Sequence, residues 1–327
     1  MPKPVKKTLR TIAAVLALAF SVEAVGAQEG PAARDLFGAR SLPSATPAQP
    51  IGFYSKGCLA GGIAIPTDGE TWQAMRLSRN RRWGHPDLVA RLERLSKEAA
   101  AQDGWPGLLV GDLSQPRGGP MLSGHASHQI GLDADIWLTP MPNRRLTYEE
   151  REETSARSVL REDTLYVDPT IWTPAHARLI MRAASYPQVE RIFVHPGIKQ
   201  KLCETWTGSR ADLGKVRPYY GHHYHFHIRM ECPPGAANCT SQAPIGPGDG
   251  CDASLAWWFT DEPWAPADAP PDPNPPKPRL TQLSELPRAC AVVLDAAAPA
   301  SEELVTYRPG TPAPAPGIPI PRARPSL

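Results

Sequence analysis

The sequence lacks the short motifs that mark several large hydrolase classes. It contains no H-E-x-x-H, no S-x-x-K and no G-x-S-x-G. These are the signatures of one group of metalloproteases, of penicillin-binding acyl-enzymes and of α/β-hydrolases. It also has no C-x-x-C pair, so a structural zinc site built from cysteines is not expected. Any catalytic or metal-binding group must therefore come from other patterns.

A strong net charge and long apolar runs are also missing. Lys and Arg number 35 against 33 Asp and Glu, which gives a formal charge of +2. A near-neutral protein has little general attraction for nucleic acid or anionic lipid. The arginine-rich stretch 76–82 is interpreted as a solvated face or a local substrate contact. Beyond the N-terminal region, no stretch approaches the roughly 20 apolar residues of a membrane helix. We therefore expect no nucleic-acid binding and no integral membrane contact.

The N-terminal segment has the organisation of a signal peptide. Four basic residues come first: Lys3, Lys6, Lys7 and Arg10. A short apolar run follows at 11–20, and the small residues 25–27 offer a cleavage site. The run is too short to cross a bilayer comfortably. Residues 1–27 are therefore predicted to be a signal peptide rather than a retained anchor, and their removal leaves a formal charge of −1.

Composition divides the rest of the chain into three parts. Residues 28–55 are rich in Ala, Pro and Ser and are predicted to be a flexible lead-in. Residues 56–260 carry the histidines and mixed periodic segments, and are predicted to be the functional domain. Residues 261–327 are dominated by proline, which fits neither a sheet nor a helix. One apolar island in this tail, residues 290–297, could dock onto the domain.

The central part mixes helix and strand patterns. His85-Pro86 and Thr173-Pro174 are typical helix starts. Period-2 patterns predict strands at 108–113, 131–138, 191–194 and 224–230. Strands joined by loops of very different lengths favour an α+β fold, in which helices flank a small antiparallel sheet.

The first chemically informative stretch is residues 221–229. In a strand, His225, His227 and Arg229 share one face, while Tyr224, Phe226 and Ile228 would point into a core. Two imidazoles on one face suit a divalent metal. The alternative is a polar outer face that happens to be rich in histidine.

The second stretch, residues 125–137, adds an acidic side chain. Asp133 and Asp135 alternate with apolar residues, and His128 lies in the turn before the strand. Asp135 and His128 could complete a metal site with a histidine of the first stretch. The alternative, two acids on an exposed strand, explains neither the histidines nor Gly131.

Together these residues resemble a known group of metallopeptidases. His128 and Asp135 match H-x6-D, and His225 and His227 match H-x-H, the signatures of the lysostaphin/D-Ala-D-Ala peptidase/hedgehog group. The wider match resembles the penicillin-insensitive murein endopeptidases and covers about residues 56–260. It rests on the segments 127–136, 191–194, 198–200, 215–218 and 248–251.

The resemblance implies a zinc site. By it, His128, Asp135 and His227 are the ligands of Zn²⁺, and a fourth position stays open for water. His125 matches a further histidine beside the site, either a ligand or a hydrogen-bond partner. Asp163 matches an acid that makes an additional metal contact in the family, although Tyr166 stands where the family has the accompanying histidine.

The same resemblance implies two catalytic histidines. His222 and His225 match positions that would move the proton between water and the leaving amine, and the sequence does not rank them. Residues with weaker claims, interpreted as supporting or structural, are Gln129, Asp133 and His223. The remaining histidines have no evident partners and are predicted to lie on the surface: His85, His176 and His195.

The cysteines indicate a disulfide framework. Six remain after residue 27, an even number in a chain predicted to be exported. Cys232 and Cys239 flank a short loop and are predicted to pair. The resemblance implies the other two pairs, Cys203 with Cys251 and Cys58 with Cys290.

The implied function is hydrolysis of D-alanyl–meso-diaminopimelyl cross-links in peptidoglycan by zinc-activated water, in the periplasm. One alternative is a carboxypeptidase that trims D-Ala-D-Ala termini. Another is a wall-binding zinc protein without catalysis. Arg229 is predicted either to pair with a substrate carboxylate or to form an ordinary ion pair with Glu231 or another acid.

Overall fold

The strands and helices were obtained from a computed structural model that describes residues 30–265 and 279–308. The predicted signal peptide and about half of the proline-rich tail, residues 266–278 and 309–327, lie outside these residues. Within them the strands are β1 (Gln49–Phe53), β2 (Lys56–Ala60), β3 (Ile63–Ala64), β4 (Trp72–Ala74), β5 (Trp83–Gly84), β6 (Leu108–Val110), β7 (Asp133–Trp137), β8 (Val189–Val194), β9 (Val216–Pro218) and β10 (His225–Met230). The helices are α1 (Ala33–Gly38), α2 (Pro86–Glu98), α3 (Tyr148–Glu153), α4 (Pro174–Ser185), α5 (Pro196–Thr205), α6 (Arg210–Lys215), α7 (Ala253–Ala256) and α8 (Ala289–Asp295).

Six of these strands form the sheet that carries the histidine-rich stretch. Their order is β4-β6-β7-β10-β8-β9. Neighbours in the centre are antiparallel, while the outer pairs β4–β6 and β8–β9 are parallel. Helices flank the sheet; α4, for example, packs on β8. The predicted α+β class is confirmed.

The apolar face of the central strands forms the main core. Ala134 and Ile136 of β7, and Phe226 and Ile228 of β10, are almost completely buried in it, as their alternation predicts. Tyr224, which was also expected to point into the core, precedes β10 and is 38% exposed. That expectation was wrong because the strand begins one residue later.

Histidines at helix starts correct another expectation. His85 and His195 cap α2 and α5, and each accepts a hydrogen bond on Nδ1 from the backbone N–H two residues on. His176 lies in the first turn of α4, where its Nδ1 accepts from the backbone N–H of Thr173. His176 and His195 are each 4% exposed and His85 is half-buried, so these residues are not on the surface. These histidines accept hydrogen bonds from backbone N–H groups at the helix N-termini. An imidazole can fill this capping role as Ser, Thr, Asp or Asn does.

The N-terminal segment and the tail meet in a second, smaller core. Phe37 of α1, Ile51 of β1 and Val293 of α8 are buried together there. The segment 28–55 was expected to be a flexible lead-in, but it contains α1 and β1, because these apolar side chains find partners far along the chain.

Three disulfides cross-link the chain, over sequence separations of 232, 48 and 7 residues. They link Cys58 with Cys290, Cys203 with Cys251 and Cys232 with Cys239, which confirms the predicted pairing. The first attaches α8 to β2, and both of its cysteines are buried in the second core. Across residues 30–265 and 279–308, no helix combines the length and the apolar character needed to cross a membrane.

Candidate metal centre

The antiparallel pairing of β7 and β10 brings the acidic and histidine stretches together. Asp135 lies directly opposite His227 in the register, and opposite residues share a face of the sheet. His227 Nδ1 is 3.3 Å from Asp135 Oδ1, and His225 Nε2 is 3.6 Å from the same oxygen. Strand pairing therefore places two imidazoles against one carboxylate.

His128 reaches the same carboxylate from the turn before β7. Its Nε2 is 3.4 Å from Asp135 Oδ1. The turn needs two left-handed residues, His128 at φ +64° and Gly131 at φ +71°. A Cβ at position 131 would lie 2.6 Å from a Leu59 methyl group, so only glycine fits there. The positive φ of His128 is uncommon for a residue with a side chain, and such conformations persist where the surroundings enforce them.

Asp133 holds several residues of the centre in place through hydrogen bonds. It is fully buried and accepts hydrogen bonds from His128 N (2.9 Å), His227 Nε2 (2.9 Å) and Arg229 Nε (2.8 Å). Burial alone would raise the pKa of Asp133, but Arg229 and His227 hold it well below its usual range. A carboxylate on one ring nitrogen fixes the tautomer and aims the other nitrogen at a metal. Asp133 thus directs His227 Nδ1 toward Asp135.

The buried polar atoms fit a bound cation. Both ring nitrogens of His128 and Asp135 Oδ1 are buried without a hydrogen-bond partner among the described residues. Each such atom costs about 1–3 kcal/mol unless something satisfies it. Burial lowers the pKa of His227, but Asp133 and Asp135 raise it above its ordinary value, so this position favours positive charge. Two imidazole nitrogens and a carboxylate oxygen form a donor set that suits zinc.

His125 completes a tight cluster on the outer side. The ligand atoms of His125, His128 and Asp135 all lie within 4.8 Å of one another. His125 Nε2 is 3.5 Å from Asp135 Oδ2 but 3.0 Å from Asp112 Oδ2. The His125 ring therefore lies between two carboxylates, those of Asp135 and Asp112.

Asp112 is a site residue that the sequence analysis missed. It is 4% exposed and also accepts from Arg81 Nη1 at 3.0 Å and Arg79 Nη1 at 3.1 Å. Burial raises the pKa of Asp112, but His125 and the two arginines lower it to about 2. Asp112 lies two residues after β6, which pairs with β7, so its position in the chain indicated only that it is near the centre and not which residues it contacts. Arg81 is itself buried, so the stretch 76–82 is not simply a solvated face.

The two predicted shuttle histidines stand side by side, His225 buried against Asp135 and His222 partly exposed next to it. The ring centres of His222 and His225 are 4.8 Å apart. Burial, together with neighbouring histidines, lowers the pKa of His222 to about 3, and burial lowers that of His225 to about 4. His222 Nδ1 donates to the Tyr220 carbonyl at 2.7 Å. In a neutral ring this leaves Nε2 as the proton acceptor.

The weaker candidates lie elsewhere or have structural contacts. Asp163 sits in the loop after Leu160 and lines a separate depression together with His223. The Gln129 side chain accepts from Gly57 N and donates to the Ser55 and Ala126 carbonyls, which ties down the turn.

Arg229 forms a structural ion pair, the second of the two roles predicted for it. It is 7% exposed, lies between the rings of Tyr54 and Phe193, and pairs with Asp133 rather than with Glu231. It supports His227 through Asp133 and does not face the cleft.

Comparison with known proteins gives a consistent match. The sequence profile of the family described as penicillin-insensitive murein endopeptidase matches residues 50–295. Relatives named penicillin-insensitive murein endopeptidase include one from Haemophilus influenzae, 44% identical over 244 residues, 74% of this chain and 85% of the relative. Another, from Klebsiella pneumoniae, is 42% identical over 255 residues, 78% of this chain and 89% of the relative. A third, from Escherichia coli, is 41% identical over 248 residues, 76% of this chain and 86% of the relative. The resemblance drawn from the motifs is confirmed, and the chain belongs to the penicillin-insensitive murein endopeptidase family.

Proposed function

We propose that this protein is a murein endopeptidase that hydrolyses D-alanyl–meso-diaminopimelyl cross-links with the help of a zinc ion. One observation carries the proposal. A buried carboxylate oxygen, Asp135 Oδ1, lies within 3.6 Å of three histidine rings, and a further ring, that of His222, stands beside one of them. Family membership supports the same activity.

His128, Asp135 and His227 are the proposed zinc ligands. Three protein ligands leave a position open, as a catalytic site requires. When bound, zinc would supply Lewis acidity that polarises a peptide carbonyl and activates water. Asp133 keeps His227 oriented, and His125, held by Asp112, borders the open side.

His222 and His225 are the proposed proton-transfer groups. Their low pKa values keep both rings neutral at pH 7, so either can accept a proton from water. The same ring then returns that proton to the amine that leaves when the amide breaks. The free Nε2 of His222 is suited to this, because its Nδ1 is committed to the Tyr220 carbonyl.

We also propose that residues 1–27 direct export, that residues 56–260 hold the catalytic machinery and that the protein works in the periplasm. Three disulfides are compatible with such an oxidising compartment. Asp163 remains a proposal for a secondary metal contact only, since it lies in a separate depression.

Digestion of purified murein tests the function. Products are identified by mass after incubation with and without a chelator. We expect cross-linked dimers to become monomers, no D-alanine to leave uncross-linked pentapeptides, and β-lactams to have no effect. Release of free D-alanine as the main product would instead support a carboxypeptidase. Binding without any product would support a non-catalytic wall protein.

A further inference from the structure

The cleft beside the candidate metal centre contains two arginines that the proposed function leaves without a role. Arg76 and Arg79 line a space of about 280 Å³ together with His125, Asp135 and His225. Arg229, for which the sequence allowed either a substrate carboxylate or an ordinary ion pair, is enclosed behind Asp133. A basic side chain that pairs with a substrate carboxylate in this cleft must therefore come from a residue other than Arg229.

Arg79 carries charge that its surroundings do not balance. Its side chain is 47% exposed, and its hydrogen bond goes from Nη1 to Asp112 Oδ2. The buried Arg81 already pairs with that oxygen at 3.0 Å. One carboxylate thus faces two guanidinium groups. The remaining donors of Arg79 have no partner among the residues that the structure describes, so they can meet a ligand.

Arg76 has no acidic partner in the described parts of the chain. Its Nη2 donates to the Thr154 carbonyl at 2.9 Å, and its guanidinium lies 5.8 Å from the centre of a Trp137 ring. A carbonyl and an aromatic face orient the group without cancelling its charge. The cleft therefore presents a second unbalanced positive charge next to the first.

The turn that carries both arginines is held in a specific shape. Arg76 and Asn80, at its two ends, are left-handed at φ +54° and +50°. Such residues are strained and persist only where contacts enforce them. Ser78, between them, binds the Glu152 carboxylate through its backbone N–H (2.9 Å) and its hydroxyl (2.7 Å). Arginines on a pinned turn lose less freedom when they bind a ligand.

We infer that Arg76 and Arg79 form a subsite for the free carboxylate that flanks the scissile amide. This inference rests on the proposed function. In a D-alanyl–meso-diaminopimelyl cross-link, the carbon that bears the amide nitrogen also bears a carboxylate. Guanidinium groups bind carboxylates through parallel, charge-assisted hydrogen bonds. The subsite selects substrates with an acid at this position and holds the amide beside the metal centre.

A pair of matched substrates tests the subsite. One is a cross-linked muropeptide dimer, and the other is the same dimer with that carboxylate converted to a carboxamide. For the full wild-type chain, we expect kcat/KM to be about 10- to 100-fold lower on the carboxamide, the size of a lost charge-assisted hydrogen bond. The loss should fall mainly on KM, because the contact exists before the reaction begins.

Arginine variants identify the groups responsible. Arg76→Gln and Arg79→Gln should lower kcat/KM on the acid dimer by a similar factor and change it little on the carboxamide. Arg79→Lys keeps the charge and should retain part of the preference. Arg94→Gln, whose ion pair with Glu98 lies on α2, is the matched control and should behave as wild type. Zinc content is measured for each. Should Arg79→Gln lose zinc through Asp112, Arg76→Gln decides, because Arg76 makes no contact with that acid.

The outcomes separate the subsite from the proposed reaction. Equal kcat/KM on both dimers, with normal turnover, would overturn the subsite and leave the endopeptidase activity standing. If neither dimer is cleaved, calorimetry with free-acid and amidated diaminopimelyl peptides decides. Tighter binding of the acid, lost in Arg79→Gln, would support the subsite even though the reaction fails. Equal binding of both peptides would overturn it.

Discussion

Two buried polar clusters in this protein are built in opposite ways. Where the tail docks, Arg117 is 3% exposed and its Nη1 donates to the carbonyls of Val293 (2.7 Å), Leu294 (2.7 Å) and Ala296 (2.8 Å). At the candidate metal centre, His128 is fully buried and neither ring nitrogen has a hydrogen-bond partner among the described residues. One cluster is saturated and the other is open.

The difference separates a structural role from a functional one. A saturated buried cation repays its desolvation through hydrogen bonds and fixes the segment it contacts. Buried atoms left open destabilise the fold unless a ligand binds them, which is a common feature of functional sites. We therefore expect changes in the saturated cluster to alter stability alone, and changes in the open cluster to alter metal content and activity.

The largest expected effect comes from Asp135→Ala. Losing the carboxylate that faces both histidines should remove most of the bound zinc, while the chain remains folded. Activity should fall by well over the roughly 100-fold typical of changes to groups that merely support a ligand. Elemental analysis, circular dichroism and muropeptide turnover measure the three properties. Full zinc content together with full activity would show that the ligand assignment is incorrect.

The second largest effect should come from the two histidines beside the proposed ligands. His222→Ala and His225→Ala should keep zinc but lose about 10²-fold or more in kcat, the usual size of a lost proton-transfer group. Zinc content and turnover are both measured for each variant, and only turnover should fall. Near wild-type turnover in both would place the proton shuttle on other residues.

In the saturated region, the expected effect is on stability. Replacing Cys58 and Cys290 by serine removes the link between α8 and β2, which should lower the free energy of unfolding by about 2–5 kcal/mol. Zinc content at low temperature should not change. Denaturant unfolding and elemental analysis on the same samples check both statements. A parallel loss of zinc would mean that the two regions are coupled and that the disulfide is not purely structural.

Arg117→Met should give the smallest of these effects. The substitution leaves carbonyls of the α8 segment without their donor, which costs about 1–3 kcal/mol in unfolding free energy. Turnover and zinc content should match wild type. An unfolding free energy equal to that of wild type would indicate that water replaces the guanidinium without loss.

Strand alternation and helix caps made much of this arrangement predictable. The alternation in 131–138 and 224–230 correctly separated Ile136 and Phe226 from Asp135 and His227. Pro86 and Pro174 marked the starts of α2 and α4. Both are local signals, set by the period of one element or by one backbone position.

What escaped prediction depends on partners distant in sequence. Asp112 joins the centre through His125 and Arg81, and nothing in its own segment reveals those contacts. The burial of Phe37 likewise requires α8, which lies some 250 residues later. Arg229 illustrates the same limit, because only the register of β7 with β10 sets it opposite Asp133.

A crystal of the zinc-loaded protein would show which residues hold the metal. Anomalous diffraction above and below the zinc edge locates the ion without reference to activity. We expect one strong peak about 2.0–2.2 Å from His128 Nε2, Asp135 Oδ1 and His227 Nδ1. A peak held by His125 and Asp112 instead, or no peak near Asp135 in crystals that contain zinc, would contradict this ligand assignment.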